Sequence, residues 1–170
     1  MTAGFLVRRA LVADARAVAR VHVDSWRQTY RGLVADAVLD DAGLLSSRER
    51  FWIGALTDER WSANRIAVAE VDDVVVSIAM SGPSDADIQR LHLIYLDAAH
   101  HGSGAGSALL DAVVLPAEPA VLEVAEPNRR AQAFYRKRGF APTGSGEVID
   151  GVREVTWVRN GPPGAADESR

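Results

Sequence analysis

The sequence contains no cysteine, and Lys137 is the single lysine among its 19 lysine and arginine residues. Without a thiol the chain forms neither a disulfide nor a thiolate-ligated metal site, and it cannot carry a group as an enzyme thioester. A Schiff-base mechanism would depend on Lys137 alone. Several covalent mechanisms are therefore excluded by composition.

Long apolar runs and an excess of positive charge are also missing. No stretch approaches the roughly 18 consecutive apolar residues of a membrane span, and residues 1–9 lack the apolar segment of a secretory signal. The formal net charge is −4, which argues against electrostatic binding of nucleic acid or of an anionic membrane. We therefore expect a cytoplasmic protein with no nucleic-acid or membrane partner.

The remaining composition is that of a globular protein, with 170 residues, 48% hydrophobic and 25% charged. This length predicts a single domain, which we assign to residues 1–160. Residues 161–170, GPPGAADESR, have the composition of a disordered tail.

Hydrophobic periodicity predicts seven strands and four helices in the order β-α-α-β-β-β-α-β-α-β-β. This order favours a mixed α/β (α+β) layered fold with one glycine-rich strand-to-helix crossover. The strand at 88–96 is apolar on both faces, so we expect it to be central and covered on each side. A capping box at 46–49 predicts a helix that begins there. The predicted strands are 5–11, 65–71, 74–80, 88–96, 120–125, 140–149 and 152–159; the predicted helices are 13–30, one from 46, 107–115 and one from 128.

A glycine-rich turn, GSGAG at 102–106, connects a strand to a helix. Exposed N–H groups at such a helix start favour phosphate. The spacing matches neither a Walker A loop nor a dinucleotide fingerprint, so the turn alone is equally consistent with a simple tight turn. Asn128 and Tyr135, two helical turns apart, share one side of the next helix. Two helix starts beside one crevice fit a phosphate-bearing cofactor.

These two segments resemble the GCN5-related N-acetyltransferase (GNAT) superfamily. Residues 94–110 are similar to its acetyl-CoA motif, a strand followed by R/Q-x-x-G-x-G/A, and residues 126–140 to its motif N-x-x-A-x-x-F-Y-x-x-x-G-F. Residues 25–32, SWRQTYRG, look like the acceptor-side helix of many bacterial members. His101 stands where the family usually has Arg or Gln, Ala98 where Pro is common and Ser77 where a strand Gly is frequent. Because backbone N–H groups bind phosphate in this family, we expect His101 to weaken cofactor affinity rather than abolish it.

The resemblance implies a central mixed, mostly antiparallel sheet flanked by helices, with a splayed parallel strand pair at the cofactor site. It implies acetyl transfer from acetyl-CoA, by direct attack, to a primary amine of a small molecule or peptide, without a metal. Tyr135 is implied as the general acid and the backbone N–H of Leu96 as the group that faces the thioester carbonyl. The implied acetyl-CoA-binding residues are Ile94, Leu96, His101, Gly102, Ser103, Gly104, Ala105, Gly106, Ser107, Asn128 and Tyr135.

The acceptor side is less defined. His22, Trp26 and Tyr30 recur on one helix face and are candidates to line the acceptor pocket, although core packing explains the same spacing. No general base stands out, and the candidates are His22, His92, Glu123 and Glu126. The pair at 100–101 lacks carboxylates at ligand spacing, so we expect no metal.

Three alternatives stay open at this point. Another acyl-CoA donor would keep the fold and change only the pocket near Leu96. A non-catalytic acyl-CoA-binding or regulatory module would bind CoA without turnover, and a nucleotide-binding protein would be stabilised by ATP and not by acetyl-CoA. The edge strands of the final hairpin also make a homodimer possible.

Overall fold

The computed structural model describes residues 4–85 and 88–161, so the predicted tail lies almost wholly outside the described residues. The strands are β1 Leu6–Arg9, β2 Arg65–Val71, β3 Val74–Pro83, β4 Gln89–Leu96, β5 Ala120–Ala125, β6 Ala141–Ile149 and β7 Val152–Arg159. The helices are α1 Ala15–Tyr30, α2 Asp36–Leu39, α3 Leu44–Thr57, α4 Ala105–Val113 and α5 Arg129–Lys137.

The seven strands form one sheet in the order β1-β2-β3-β4-β5-β7-β6. Every neighbouring pair is antiparallel except β4 and β5, which are parallel. The expected mostly antiparallel sheet with one parallel pair is therefore confirmed. Two-residue turns at Asp72–Asp73 and Asp150–Gly151, all with positive φ, close two of its hairpins.

Helices cover both faces of the sheet. On one face Trp52 of α3 packs with residues of α1, Ile66 and Val68. On the other face Leu109 and Leu110 of α4 pack against the sheet in a separate apolar cluster. The alternation of side chains along β2 and its neighbours thus builds two cores around one sheet.

Two helix starts differ from the sequence expectation. α3 begins at Leu44 with Gly43 before it, and Ser46 Oγ donates to the Gly43 carbonyl at 3.0 Å. Ser46 therefore bonds backward within the helix, and the predicted capping box is wrong. α4 begins at Ala105, earlier than predicted, because the preceding glycine turn feeds directly into it. α2 is a single turn that the sequence pattern did not predict.

Strand β4 is central, but its predicted burial on both faces is wrong for its second half. Only Gln89–Leu91 pairs with β5, and the strand is half-buried from Leu93 to Leu96. The two strands separate beyond Leu91 and leave this stretch facing open space. Strand β6 forms one edge of the sheet and is exposed throughout. None of the helices in the described ranges is long and apolar enough to cross a membrane.

Candidate active site

The gap between β4 and β5 opens into a cavity of about 1080 Å³. A cavity of this size is ample for a small-molecule ligand. Helix α5, the C-terminal turns of α1 and the turn before α4 contribute to its walls together with the sheet. The predicted site residues that line it are Ile94, Leu96, His101, Gly102, Gly104, Gly106, Ser107, Asn128, Tyr135 and Tyr30.

The glycine turn exposes backbone N–H groups to this cavity. Gly102 and Gly104 adopt φ values of +78° and +89°, which side-chain-bearing residues rarely adopt. Ser103 and Ala105, both predicted to bind the cofactor, are not among the described residues that line the cavity. Ser103 Oγ instead accepts from the Ala105 N–H at 3.3 Å. The N–H groups of Gly106 and Ser107, in the first turn of α4, meet no backbone acceptor in the described part of the chain. They form a site suited to an anion.

His101 ties this turn to two neighbouring elements. Its Nδ1 lies 3.0 Å from Arg130 Nη1, and its Nε2 lies 3.2 Å from the Leu96 carbonyl oxygen. Because Arg130 can only donate, Nδ1 accepts and Nε2 carries the hydrogen that Leu96 accepts. Burial and the Arg130 charge lower the pKa of His101, in keeping with a neutral ring.

Leu96 ends β4 with its N–H directed into the gap. The next residue, Asp97, donates its N–H to the Val76 carbonyl at 2.9 Å, and Leu96 is opposite Ser77. Asp97 and Val76 are thus a hydrogen-bonded pair of the antiparallel ladder, so the neighbouring pair Leu96 and Ser77 is not hydrogen-bonded. The N–H and C=O groups of Leu96 therefore point away from β3. They point toward β5, which has diverged there and provides no partner strand.

Helix α5 contributes the other two predicted residues. Asn128 Oδ1 accepts from the Ala131 N–H at 3.1 Å, so Asn128 caps the helix while lining the cavity. Tyr135 is only 7% exposed and packs edge-to-face on Phe134 and Phe140. Burial strongly raises its pKa, and no hydrogen bond from a described residue contributes to that shift. Its hydroxyl therefore keeps its proton and is available to a ligand.

Comparison with known proteins identifies the family. A family model described as "Acetyltransferase (GNAT) domain" matches residues 62–142. The Mycobacterium tuberculosis protein named "Probable N-acetyltransferase Rv2775" is 29% identical over 160 residues, covering 89% of this chain and 83% of that protein. The Mycobacterium bovis protein named "Uncharacterized N-acetyltransferase Mb2688" is 36% identical over 110 residues, covering 62% of this chain and 67% of that protein. The chain belongs to the GNAT acetyltransferase family.

Solved structures agree on the fold of this acetyltransferase. A PaiA N-acetyltransferase from Thermoplasma acidophilum, in complex with coenzyme A, superposes with a TM-score of 0.73. The two chains are 16% identical, and the match covers 92% of this chain and 99% of that one. The sequence resemblance and the fold it implied are thus confirmed.

The residues predicted to line the acceptor pocket are only partly brought together. His22 is buried, accepts from Trp52 Nε1 at 3.2 Å and stacks on Tyr95, so it packs in the core. Trp26 packs against Tyr30, and neither His22 nor Trp26 is among the described residues that line the cavity. Tyr30 does line it. The same helix also lines it with Ser25, Gln28 and Thr29.

The general-base candidates are similarly separated. His92 and Glu123 line the cavity, but Glu123 is engaged by Arg90, with both carboxylate oxygens within 2.7 Å of Nη1. Glu126 is exposed beside Arg153 and lies outside the described cavity walls.

Sequence reasoning missed Glu154 of β7. It lines the cavity and accepts from the Tyr30 hydroxyl at 3.2 Å. Partial burial raises its pKa. Glu154 lies in a strand with an ordinary alternating pattern, and nothing in that pattern indicated that its side chain reaches the cavity.

Proposed function

We propose that this acetyltransferase transfers the acetyl group of acetyl-CoA to a primary amine of a small molecule or peptide by direct attack. One observation carries the proposal. Free N–H groups of the glycine turn, the end of β4 at Leu96 and the Tyr135 hydroxyl all meet in one cavity.

The anion-binding end of the cavity supports acetyl-CoA as the acetyl donor. Its phosphates require N–H donors and a favourable helix dipole, and the first turn of α4 provides both at Gly106 and Ser107. The chain has a net charge of −4, so local donors rather than overall charge must attract a polyanion. Arg130 and Lys137 add positive charge to the cavity wall.

The chemistry needs a polarised carbonyl and an acid for the departing thiolate. In this proposal the Leu96 N–H donates to the thioester oxygen, and Tyr135 protonates the thiolate. The raised pKa of Tyr135 keeps its proton in place throughout the neutral range. Direct attack agrees with the composition, since no cysteine exists to hold the acetyl group.

Two measurements test the proposal in sequence. Calorimetric titration with acetyl-CoA should show binding, whereas ATP should not compete. A CoA-release screen across polyamines, amino acids, aminoglycosides and peptides with free N-termini should then find an amine that accelerates release. Absence of acetyl-CoA binding contradicts the proposal, and binding without release for every amine favours a non-catalytic module.

A further inference from the structure

The charged residues of the cavity are sorted by element. The cations Arg130 and Lys137 come from α5, whereas Glu123, Glu147 and Glu154 come from the adjacent strands β5, β6 and β7. Arg90 of β4, which also lines the cavity, already pairs with Glu123. Because acetyl-CoA carries negative phosphates, it fits the side of the cavity formed by α5 and the start of α4. The acidic side, formed by strands β5, β6 and β7, is left for the acceptor.

Two of these carboxylates lack such a partner. Glu147 is directly opposite Glu154 in the β6–β7 pairing, an arrangement in which like charges repel. In residues 4–85 and 88–161, no basic side chain lies within ion-pair distance of Glu154. Two like charges side by side on a cavity wall are unfavourable in the free protein, and an arriving cation relieves the repulsion.

Glu154 is also held in one place. The Tyr30 hydroxyl donates to its Oε1 at 3.2 Å, linking the end of α1 to β7 across the cavity. Partial burial raises the pKa of Glu154, while the Tyr30 hydrogen bond opposes that rise. A carboxylate with increased proton affinity is better able to accept a proton from an ammonium group.

A second, independent feature points to a ligand in the same cavity. Tyr135 is 7% exposed, its hydroxyl has no hydrogen-bond partner among the described residues, and it lines the cavity. The hydroxyl is not among the described buried side-chain atoms that lack a partner, so it is open to the cavity and free to bond to a ligand. It shares the cavity with Glu154, whose charge contributes to the raised pKa of Tyr135, so the two groups are near enough to interact.

We propose that Glu154, positioned by Tyr30, binds the ammonium group of a cationic acceptor and accepts its proton, and that the acidic face formed with Glu147 selects amines without a neighbouring carboxylate. The inference rests on the proposed acetyl transfer. It names the acceptor class as cationic amines and excludes free α-amino acids, whose carboxylate this face repels.

The proton and bond balance is complete without a further reactant. The ammonium gives one proton to Glu154, and the freed nitrogen lone pair forms a C–N bond at the thioester carbon as the C–S bond breaks. Tyr135 gives its proton to the thiolate sulfur and regains the second nitrogen proton. Glu154 later releases its proton to water, so the products are an N-acetyl amine, CoA and one proton.

Several titratable groups face Glu154 and set its pH response. The surrounding groups are Tyr30 of α1, Tyr95 of β4, Glu123 of β5, Tyr135 of α5 and Glu147 of β6. The three tyrosines remain protonated at neutral pH because burial raises the pKa of each. Glu154 therefore governs the acidic limb of the rate profile, because it loses its function when it is protonated.

The test compares two amines that differ by one group. Putrescine and ornithine have the same carbon chain and terminal amine, and ornithine adds the carboxylate. The reactions use wild type, Glu154→Gln and the charge control Glu59→Gln, which lies on an exposed turn away from the cavity. Acetyl-CoA affinity, measured by calorimetry on each variant, reports whether the donor end remains intact.

The expected results are specific. Wild type should prefer putrescine over ornithine by at least about tenfold in kcat/KM, and Glu154→Gln should lower the putrescine kcat/KM by about 10²-fold with unchanged acetyl-CoA affinity. Glu59→Gln should match wild type. Glu154→Gln should also flatten the acidic limb, whereas Tyr30→Phe should move it to higher pH, since it removes the hydrogen bond that stabilises the carboxylate.

Other outcomes overturn the inference. Equal use of both amines, failure with putrescine by a protein that acetylates an α-amino acid, or a Glu154→Gln variant with wild-type kcat/KM would each do so while leaving the proposed function standing. A wild-type protein that binds no acetyl-CoA and releases no CoA would instead remove the proposed function, and this inference with it.

Discussion

Ser107→Asp separates the stability of α4 from its role in binding the donor. Ser107 is the third residue of the helix, half-buried, and lines the cavity. A carboxylate in the first turn interacts favourably with the helix dipole, by about 0.3–1 kcal/mol. The free energy of unfolding should therefore increase, and Tm should rise by about 1–4 °C.

The same substitution should weaken acetyl-CoA binding. For a separation of about 8 Å between the new carboxylate and a phosphate of acetyl-CoA, the two like unit charges repel by about 2 kcal/mol at an effective dielectric constant of about 20. This energy corresponds to an affinity loss of about 30-fold. The loss should shrink as salt is added, because the repelling charges are partly exposed to solvent.

Calorimetric titration and thermal unfolding of the same samples measure both effects. Ser107→Asn has nearly the same shape without the charge and is the matched control. If Ser107→Asp is more stable than Ser107→Asn yet binds acetyl-CoA with equal affinity, then the phosphates do not bind at the start of α4 and the reasoning is refuted.

Three further predictions concern single residues. Tyr135→Phe should lower kcat by about 10²-fold with little change in acetyl-CoA affinity, and an unchanged kcat in steady-state assays would remove Tyr135 from the general-acid role. Burial lowers the pKa of His22 to about 4 from its ordinary 6.5, so the folded state favours the neutral ring. The stability that this contributes is fully present above about pH 6.5 and is lost as the pH falls toward 4. Urea unfolding of wild type should show a loss of about 2 kcal/mol between about pH 7.5 and pH 5 that His22→Gln lacks, and equal pH dependence in the two proteins would contradict this. Asn128→Ala should lower the free energy of unfolding by about 1 kcal/mol through loss of the helix cap, and Asn128→Ser should restore most of it; indistinguishable urea curves would exclude a capping role.

Much of the fold follows from local patterns. Strands β2, β5 and β7 have the predicted bounds. The turns at Asp72–Asp73 and Asp150–Gly151 fix the end of β2 and the start of β7. The start of α3 did not follow, since the hydroxyl of Ser46 bonds backward to Gly43 and leaves no capping box. The separation of β4 from β5 is a tertiary property, and apolar composition alone indicated burial on both faces instead.

Only part of the candidate site could be predicted from the sequence. Contiguous motifs predicted the glycine turn, Asn128 and Tyr135 as site residues, and the turn and both residues line the cavity because one loop and one helix bring them there. Glu154 could not be found this way, since it reaches the cavity only through the pairing of β7 with β5 and meets Tyr30 from the distant end of α1. His22 shows the opposite error, because helical spacing alone does not distinguish a pocket face from a core face.

The central claim is that one cavity brings an acetyl donor and an amine together for direct transfer. The most direct measurement is the rate of CoA release from acetyl-CoA by the wild-type protein with and without the amine found in the CoA-release screen, with the acetylated amine followed by mass spectrometry. We expect release that saturates with this amine and one acetylated amine for each CoA released. Release that does not depend on the amine, or an acetyl group found on the protein instead of the amine, would contradict it.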